Sequence, residues 1–366
     1  MIQDVYIIGA TGKVGSTLIK QVIEKGDTDA SRHANPTRIV GLASSTHTLY
    51  LPEGISTERT YAFVNRNYDG ARRYQHPNEF LWMVDQYRSN RSTLVFVDAT
   101  AVDEPMTEFH IYVTGQTTHG LVTANKIPLA SHDHSTFQRL TRYPRRYGYR
   151  CSVMAGAEAV PHLQDLRDLN DRLYSIEGCF SGTLGFISSE LTNSRLSEIV
   201  REARDRGYTE PHPRDDLSGL DVAKKLVILA RTAGYGVSIE DVNVKPFIPQ
   251  ELLLEGDVNR FLDSLTMLDT EFATRMDYAQ ANGHTLRYVA RMIVKNGTPE
   301  LEVSLQEVPK ESQLGRLEGR ENKIIIVSEA YPNGYKVEAS GAGLDITATN
   351  IRRDLLYLLP ERIKTE

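Results

Sequence analysis

A strand that runs directly into a glycine-rich turn and then a helix restricts the fold of this chain more than any other stretch. Residues 5–8 are all apolar or aromatic. They are followed by Gly9-Ala-Thr-Gly12-Lys-Val-Gly15 and by apolar positions at helical spacing, Leu18, Ile19 and Val22. Glycines let a backbone come close to a pyrophosphate, and the first turn of a helix offers free N–H groups at the positive end of its dipole. A plain tight connection is the alternative at this turn; its place at residue 9, after a clear strand, favours the phosphate site. Gly9, Thr11, Gly12, Lys13 and Val14 are therefore the expected cofactor contacts. Further apolar runs at 38–42, 94–97 and 121–124 add strands to the same sheet, and their ends carry polar residues. In an open parallel sheet ligands bind beyond those carboxyl ends. The second run ends in Ala-Ser44-Ser45-Thr46-His47 with no carboxylate to hold a ribose 2′-hydroxyl, so Ser44, Ser45 and His47 are expected to receive a 2′-phosphate. NADP is the expected cofactor, with NAD the alternative. The fourth run ends in Asn125-Lys126, where Lys126 is either aimed at a cleft or is an ordinary surface lysine.

A second segment carries chemistry. In 207–234, GYTEPHPRDDLSGLDVAKKLVILARTAG, a dense acidic loop precedes a helix whose apolar residues, from Val222 to Ala230, surround the rod. Such a helix is covered on most sides, and Gly234 ends it. Asp221 and Lys225 lie four apart and share a face. A solvated pair is the ordinary outcome for such residues. Here Glu210, Asp215 and Asp216 crowd the same helix start, and a cluster of carboxylates repels itself unless a cation answers it. A substrate ammonium group and the lysine would both serve.

This loop and helix resemble the signature of the homoserine dehydrogenase family, in which Glu-Pro-Asp-Pro-x-Asp-Asp leads into Gly-x-Asp-x-Ala-x-Lys. The resemblance implies that Glu210, Asp216 and Asp221 bind substrate and that Lys225 is the catalytic lysine. His212 departs from it, standing where the family usually has aspartate. Asp98-Ala-Thr100 is similar to the family's Val-Asp-x-Thr strand end beside the nicotinamide ribose, and Thr-Ala-Asn125-Lys126 to its Thr-x-Asn-Lys-Lys, which makes Lys126 a second catalytic lysine. Ile127 replaces the next lysine, and Thr46 stands where many members have arginine. Ser181-Gly182-Thr183 resembles the substrate-side turn, implying Gly182 and Thr183 as substrate contacts. Gly341 and Gly343 match a turn that returns to the nucleotide domain. Residues 152–160 resemble a hinge whose carbonyls hold a monovalent cation such as Na⁺, implying Val153, Ala155 and Ala157, although Met154 and Glu158 replace the usual glycine and proline.

The fold implied is α/β: a Rossmann-type parallel sheet built from 1–151 and 339–366, with an α+β catalytic and dimerisation domain over 152–338. A helix is expected at 162–173 and a strand at 174–180, with antiparallel strands at 288–294, 300–308 and 323–327 forming a dimer sheet. A homodimer or dimer of dimers follows, with no kinase or threonine-regulatory domain. The activity implied is interconversion of L-homoserine and L-aspartate 4-semialdehyde, a step of threonine, methionine and isoleucine biosynthesis.

Composition sets outer limits. A net charge of −6 excludes nucleic-acid binding by charge, and no apolar run reaches a membrane span. With no signal peptide and only Cys151 and Cys179, a reducing cytoplasm is expected. The alternatives are an aspartate-semialdehyde dehydrogenase, which shares the opening glycine motif but needs a cleft cysteine for its thioester, and a catalytically silent NADP-binding sensor. Two further patterns are expected to be bland. Ser131-His132-Asp133-His134 reads as a helix cap with exposed histidines, and the basic run from Arg139 through Arg142, Arg145 and Arg146 to Arg150 as a solvated face and loop.

Overall fold

All six residues of the first strand, Gln3–Ile8, are buried, the pattern of a strand covered on both faces. The computed structural model describes residues 2–33, 36–87, 93–340 and 343–358. It divides into two compact units, one running to Gly156 and resuming at Gly343, the other covering Ala157–Ala342.

The first unit is built on a seven-stranded sheet: β1 (Gln3–Ile8), β2 (Thr37–Ala43), β3 (His47–Tyr50), β4 (Arg72–Arg73), β5 (Thr93–Asp98), β6 (Gly120–Thr123) and β7 (Tyr147–Gly148), in the order β4-β3-β2-β1-β5-β6-β7. β1 pairs in parallel with both β2 and β5, and β5-β6 and β6-β7 continue the parallel run. Chain order reverses at β1, so its carboxyl end is the topological switch point where such sheets bind ligands. Helix Lys13–Glu24 leaves that point and buries Leu18, Ile19 and Val22 against Val5 and Ile7. The closing helix, Leu344–Tyr357, adds Ala348, Ile351 and Leu355 to the same core.

The basic run is not all solvated. Arg150 is 7% exposed, and its Nε donates to Asp354 at 2.6 Å while its backbone N–H donates to the same carboxylate. Arg146 reaches the carbonyls of Val113, Thr117 and His119. The closing helix supplies the carboxylate that makes burial of Arg150 tolerable, and it lies about 200 residues away in sequence. In the histidine tetrad, Asp133 caps the following helix by accepting from Thr136 N at 2.7 Å, and His132 bonds to Asp103. Both histidines are half-buried.

The second unit holds a six-stranded sheet of β8 (Leu173–Cys179), β9 (Val242–Val244), β10 (His284–Lys295), β11 (Thr298–Pro309), β12 (Glu321–Ser328) and β13 (Tyr335–Ser340), in the order β13-β12-β8-β10-β11-β9. β10 and β11 form a long hairpin closed by Asn296 and Gly297, both at positive φ (51° and 82°), the geometry a two-residue turn requires between twisted strands. The helix expected at 162–173 runs Ala159–Asp168. It stops there because Asn170 turns left-handed at φ 55° and Leu173 is already paired in the sheet with Ser328. Helix Leu220–Thr232 is buried at Val222, Ala223 and every position from Lys225 to Thr232, and it packs on β10 and β11.

Candidate active site

In the first unit, Gly9 sits at φ +81°, and a Cβ on it would come within 3.0 Å of the Ala99 carbonyl oxygen. A Cβ on Gly15 would lie 2.2 Å from the Gly9 carbonyl oxygen, so only glycine lets the helix start this close to the turn. Gly12 is the N-cap of Lys13–Glu24 and has no side-chain cap, and no acidic residue occupies the first turn. The helix thus presents its first N–H groups and positive dipole end without a protein anion to answer them. Thr11 and Lys13 flank this end, half-buried and exposed respectively, and Val14 packs on the core.

The neighbouring strand ends are locked together by Asp98, which is fully buried. Its carboxylate accepts from Thr100 N at 2.9 Å and Asn125 Nδ2 at 3.1 Å, and His110 Nε2 lies 3.1 Å away. Burial opposes ionisation of Asp98, but the bonds from His110 and Thr100 outweigh it and hold the carboxyl below its usual range. Asn125 also bonds the Val102 carbonyl and takes the Ile127 N–H, which fixes the loop carrying half-buried Lys126. Thr100 lies against Gly9, its Cγ2 3.1 Å from where a Cβ would be.

At the β2–β3 turn the Ser44 hydroxyl is occupied: it is buried, accepts from His47 N at 3.0 Å and Thr46 N at 3.3 Å, and its backbone N–H bonds the His47 carbonyl. The exposed groups are Ser45 and Thr46, while His47 stacks on Tyr68 at 4.2 Å. Across the β3–β4 ladder His47 is opposite Arg73, an exposed arginine some thirty residues downstream that motif reading does not reach. Gly343 is the exposed N-cap of the closing helix, and Gly341 lies outside the described residues. At the hinge, Met154 and Ala155 hold positive φ, the Val153 carbonyl accepts from Gly156 N, and the Ala155 carbonyl accepts from Asn350 Nδ2 at 2.9 Å. Each of those carbonyls keeps one lone pair. Ala157 opens the second unit.

In the second unit, four consecutive residues, Phe180 to Thr183, organise the polar groups. Lys225, 8% exposed, donates from Nζ to the Phe180 carbonyl and to Asp221 Oδ2, each at 2.8 Å. Ser181 caps helix Gly182–Glu190 by accepting from Leu184 N. Thr183 donates to the Tyr208 carbonyl at 2.6 Å and lies beside Asp216. Asp216 accepts the backbone N–H of Glu210 at 2.8 Å, which fixes the acidic loop, while the Glu210 side chain is exposed. Asp215 turns outward beside Arg214 and takes no part in the cluster.

His212 does the work of an aspartate cap: its Nδ1 accepts from Arg214 N at 3.3 Å, and its ring packs edge-on to Phe261. Gly219 starts the lysine helix at φ +75°, where a Cβ would strike the Tyr288 hydroxyl at 1.9 Å.

Burial pushes the Asp216 carboxyl up to about 6, and the Glu210 and Asp221 charges push the same way against the bonds from Glu210 N and Thr183. Ionised Asp216 therefore costs folding free energy at neutral pH, a cost that starts to fall as pH drops below about 6 and is gone only below the ordinary carboxylate value of 3.8. Asp216→Asn should melt higher than the natural protein at pH 8, by a margin that narrows as pH falls below about 6 and closes near pH 4. A melting difference that is unchanged between those pH values would refute this assignment of the charge.

Cys151 and Cys179 are both buried, and burial raises both thiols, Cys179 up to about 12. Neither forms a thiolate nucleophile near neutral pH, which removes the chemical basis for a thioester mechanism.

The sequence model of the homoserine dehydrogenase family matches residues 160–356, just over half of the chain. The chain belongs to the homoserine dehydrogenase family. Members are oxidoreductases that act on the homoserine hydroxyl group and use NAD(P) as the nucleotide cofactor. Bifunctional aspartokinase/homoserine dehydrogenase 2 of Escherichia coli is 30% identical over 359 residues, covering 95% of this chain and 42% of its own length. The homoserine dehydrogenase of Paracoccidioides brasiliensis is 37% identical over 222 residues, 58% of this chain and 59% of its own. The chain thus spans less than half the length of the bifunctional relatives it matches. Among solved structures, a Candida auris protein of unknown function superposes with a TM-score of 0.85 at 26% identity, covering 98% of both chains. A homoserine dehydrogenase from Thermoplasma acidophilum gives a TM-score of 0.70 at 18% identity, covering 98% of this chain and 99% of its own, a likeness of fold. Among the described residues no helix is long and apolar enough to cross a membrane.

Proposed function

We propose that this chain interconverts L-homoserine and L-aspartate 4-semialdehyde with NADP(H). The observation that carries the reading is Lys225: a buried lysine bonded to the Phe180 carbonyl and to Asp221, directly beneath the Ser181-Gly182-Thr183 turn and beside the Glu210 and Asp216 loop. Glu210, Asp216 and Asp221 would hold the substrate ammonium. The N–H groups at the start of helix Gly182–Glu190 would take the α-carboxylate, with Thr183 beside it. In the reducing direction Lys225 gives a proton to the alkoxide oxygen that develops at C4, directly or through water, and in the oxidising direction it takes that proton back. Lys126, half-buried in the first unit, is kept as the second catalytic lysine of this reading, its role to supply positive charge for a developing oxyanion. A bound nicotinamide dinucleotide supplies and accepts the hydride. Gly9, Thr11, Gly12, Lys13 and Val14 at the open helix end, with Thr100 and the glycines before the closing helix, would hold it.

Arg73 supports the NADP preference, because it lies opposite His47 in the β3–β4 ladder, beside exposed Ser45 and Thr46 and with no acidic residue in the turn. An arginine there can accommodate a 2′-phosphate. Ser44, its hydroxyl already occupied, would contribute only as the brace of the turn. Arg73→Glu is expected to weaken use of NADPH at least about tenfold, ~1.4 kcal/mol, and to leave NADH nearly unaffected. Steady-state kinetics with L-homoserine and each cofactor test both statements. Failure to oxidise homoserine with either cofactor would end the dehydrogenase reading, whereas equal losses with NADPH and NADH would end the role of Arg73.

A homodimer built mainly on the antiparallel strands β10, β11 and β12, and a monovalent cation at the Val153, Ala155 and Ala157 carbonyls, are parts of the proposal. No catalytic step depends on either.

A further inference from the structure

We propose that Arg320 is a substrate-recognition residue that clamps the α-carboxylate of the amino-acid substrate, an inference that rests on the dehydrogenase reading above. Arg320 ends the connection between β11 and β12, one residue before β12 begins. Its guanidinium lies over the Tyr208 ring, 4.3 Å from the centroid. Its Nε is buried without a hydrogen-bond partner, and among the described residues no carboxylate pairs with the side chain. A buried guanidinium N–H left unpaired is costly, and a position that keeps one is prepared for an acceptor the protein does not supply.

The location says what that acceptor is. A Cβ built on Gly182 would lie 3.4 Å from Arg320 Nε and 3.6 Å from Nη2, so the guanidinium covers the first residue of helix Gly182–Glu190. The same short turn bonds Lys225 through the Phe180 carbonyl and reaches Tyr208 and Asp216 through Thr183. Glu210, Asp216 and Asp221 supply negative charge for an ammonium, and Lys225 is committed to Asp221 and the Phe180 carbonyl. Among the described residues no carboxylate answers Arg320 beside this helix end, and a zwitterionic substrate brings one. A guanidinium fork and a carboxylate match in shape, and charge-assisted bonds of this kind are among the stronger ones.

The arginine is also held in place. Arg287, 7% exposed, binds the carbonyls of Leu314, Gly315 and Leu317 on the connection leading to it. Glu318 N bonds to Glu321 Oε2, and Glu321 N to the Glu318 carbonyl, closing a tight turn around Gly319 and Arg320. Stacking on Tyr208 fixes the remaining freedom, so little entropy is lost when the substrate binds.

The test compares L-homoserine with L-homoserinamide, in which the carboxylate is neutralised, for the natural protein and for Arg320→Ala, Arg320→Lys and Arg320→Gln, each first checked for folding by circular dichroism and thermal melting. For Arg320→Ala, KM for homoserine should rise about 10- to 100-fold, as expected for a lost hydrogen bond to a charged group, with kcat changed far less. Selectivity for homoserine over its amide should fall by the same factor, and lysine should restore part of it where glutamine does not. If Arg320→Ala does not fold, the lysine and glutamine pair carries the comparison. Unchanged selectivity, or an equal rise in KM for acid and amide, overturns the role of Arg320. A natural protein that oxidises no homoserine overturns the dehydrogenase reading and this inference with it.

Discussion

Lys225→Ala is expected to lower kcat for homoserine by 10²–10⁴-fold, the usual loss when a positioned general acid–base group is removed. The side chain donates to the Phe180 carbonyl and to Asp221, and it belongs to the unit that lacks the glycine turn. NADPH binding followed by fluorescence should therefore be little changed in this variant. Alanine leaves the Phe180 carbonyl without its donor, a cost of about 1–3 kcal/mol, whereas half-exposed Asp221 can turn to water. Lys225→Gln, which can still donate to that carbonyl, separates the two effects: it should recover stability but not turnover. Wild-type kcat in either variant would remove Lys225 from the chemistry and leave it a structural bond.

The second large effect concerns folding of the nucleotide-binding unit. Arg150→Ala breaks a buried ion pair and leaves Asp354 uncompensated, which typically costs about 3–5 kcal/mol. Burial pushes the Asp354 carboxyl up to about 6 even with Arg150 present to lower it. The penalty in the variant falls on the ionised carboxylate, so it should be largest at pH 8 and shrink as pH drops below about 6. Urea unfolding of both proteins at pH 8 and pH 5, followed by a probe in the first unit, measures the difference directly. A loss below ~1 kcal/mol at pH 8 would mean that the pair is not what ties the closing helix to β7.

Much of the cofactor-side geometry could be read along the chain, because it is made by neighbours in sequence. The Gly9 to Gly15 turn, the strand before it and the helix after it are one continuous segment, and the steric need for glycine at Gly15 arises from backbone within that segment, whereas at Gly9 the crowding comes from Ala99 and Thr100 at the end of β5. The same holds for Asp221 and Lys225, which meet because one helical turn brings them together, and for Gly219, whose left-handed φ starts that helix. His212 was legible only as a departure. Its Nδ1 bond to Arg214 N shows that the position needs an acceptor at the cap, which a histidine ring nitrogen can supply in place of a carboxylate oxygen.

What sequence alone could not decide is which side chains find distant partners. Arg150 sits in a basic run that looks solvated, and its burial depends on a carboxylate in the closing helix. The Ser44 hydroxyl looks available to a phosphate until the β2–β3 turn is closed and His47 N takes it. Arg73 and Arg320 carry no local motif at all: one gains meaning from a strand pairing, the other from lying over Tyr208 beside Gly182. The sequence by itself determined the parallel sheet, the glycine turn and the lysine helix, because backbone sterics and side-chain periodicity act over a few residues. Only the tertiary structure decided which charges are buried, paired or left open, because that depends on the dielectric surroundings and partners brought in from elsewhere in the chain.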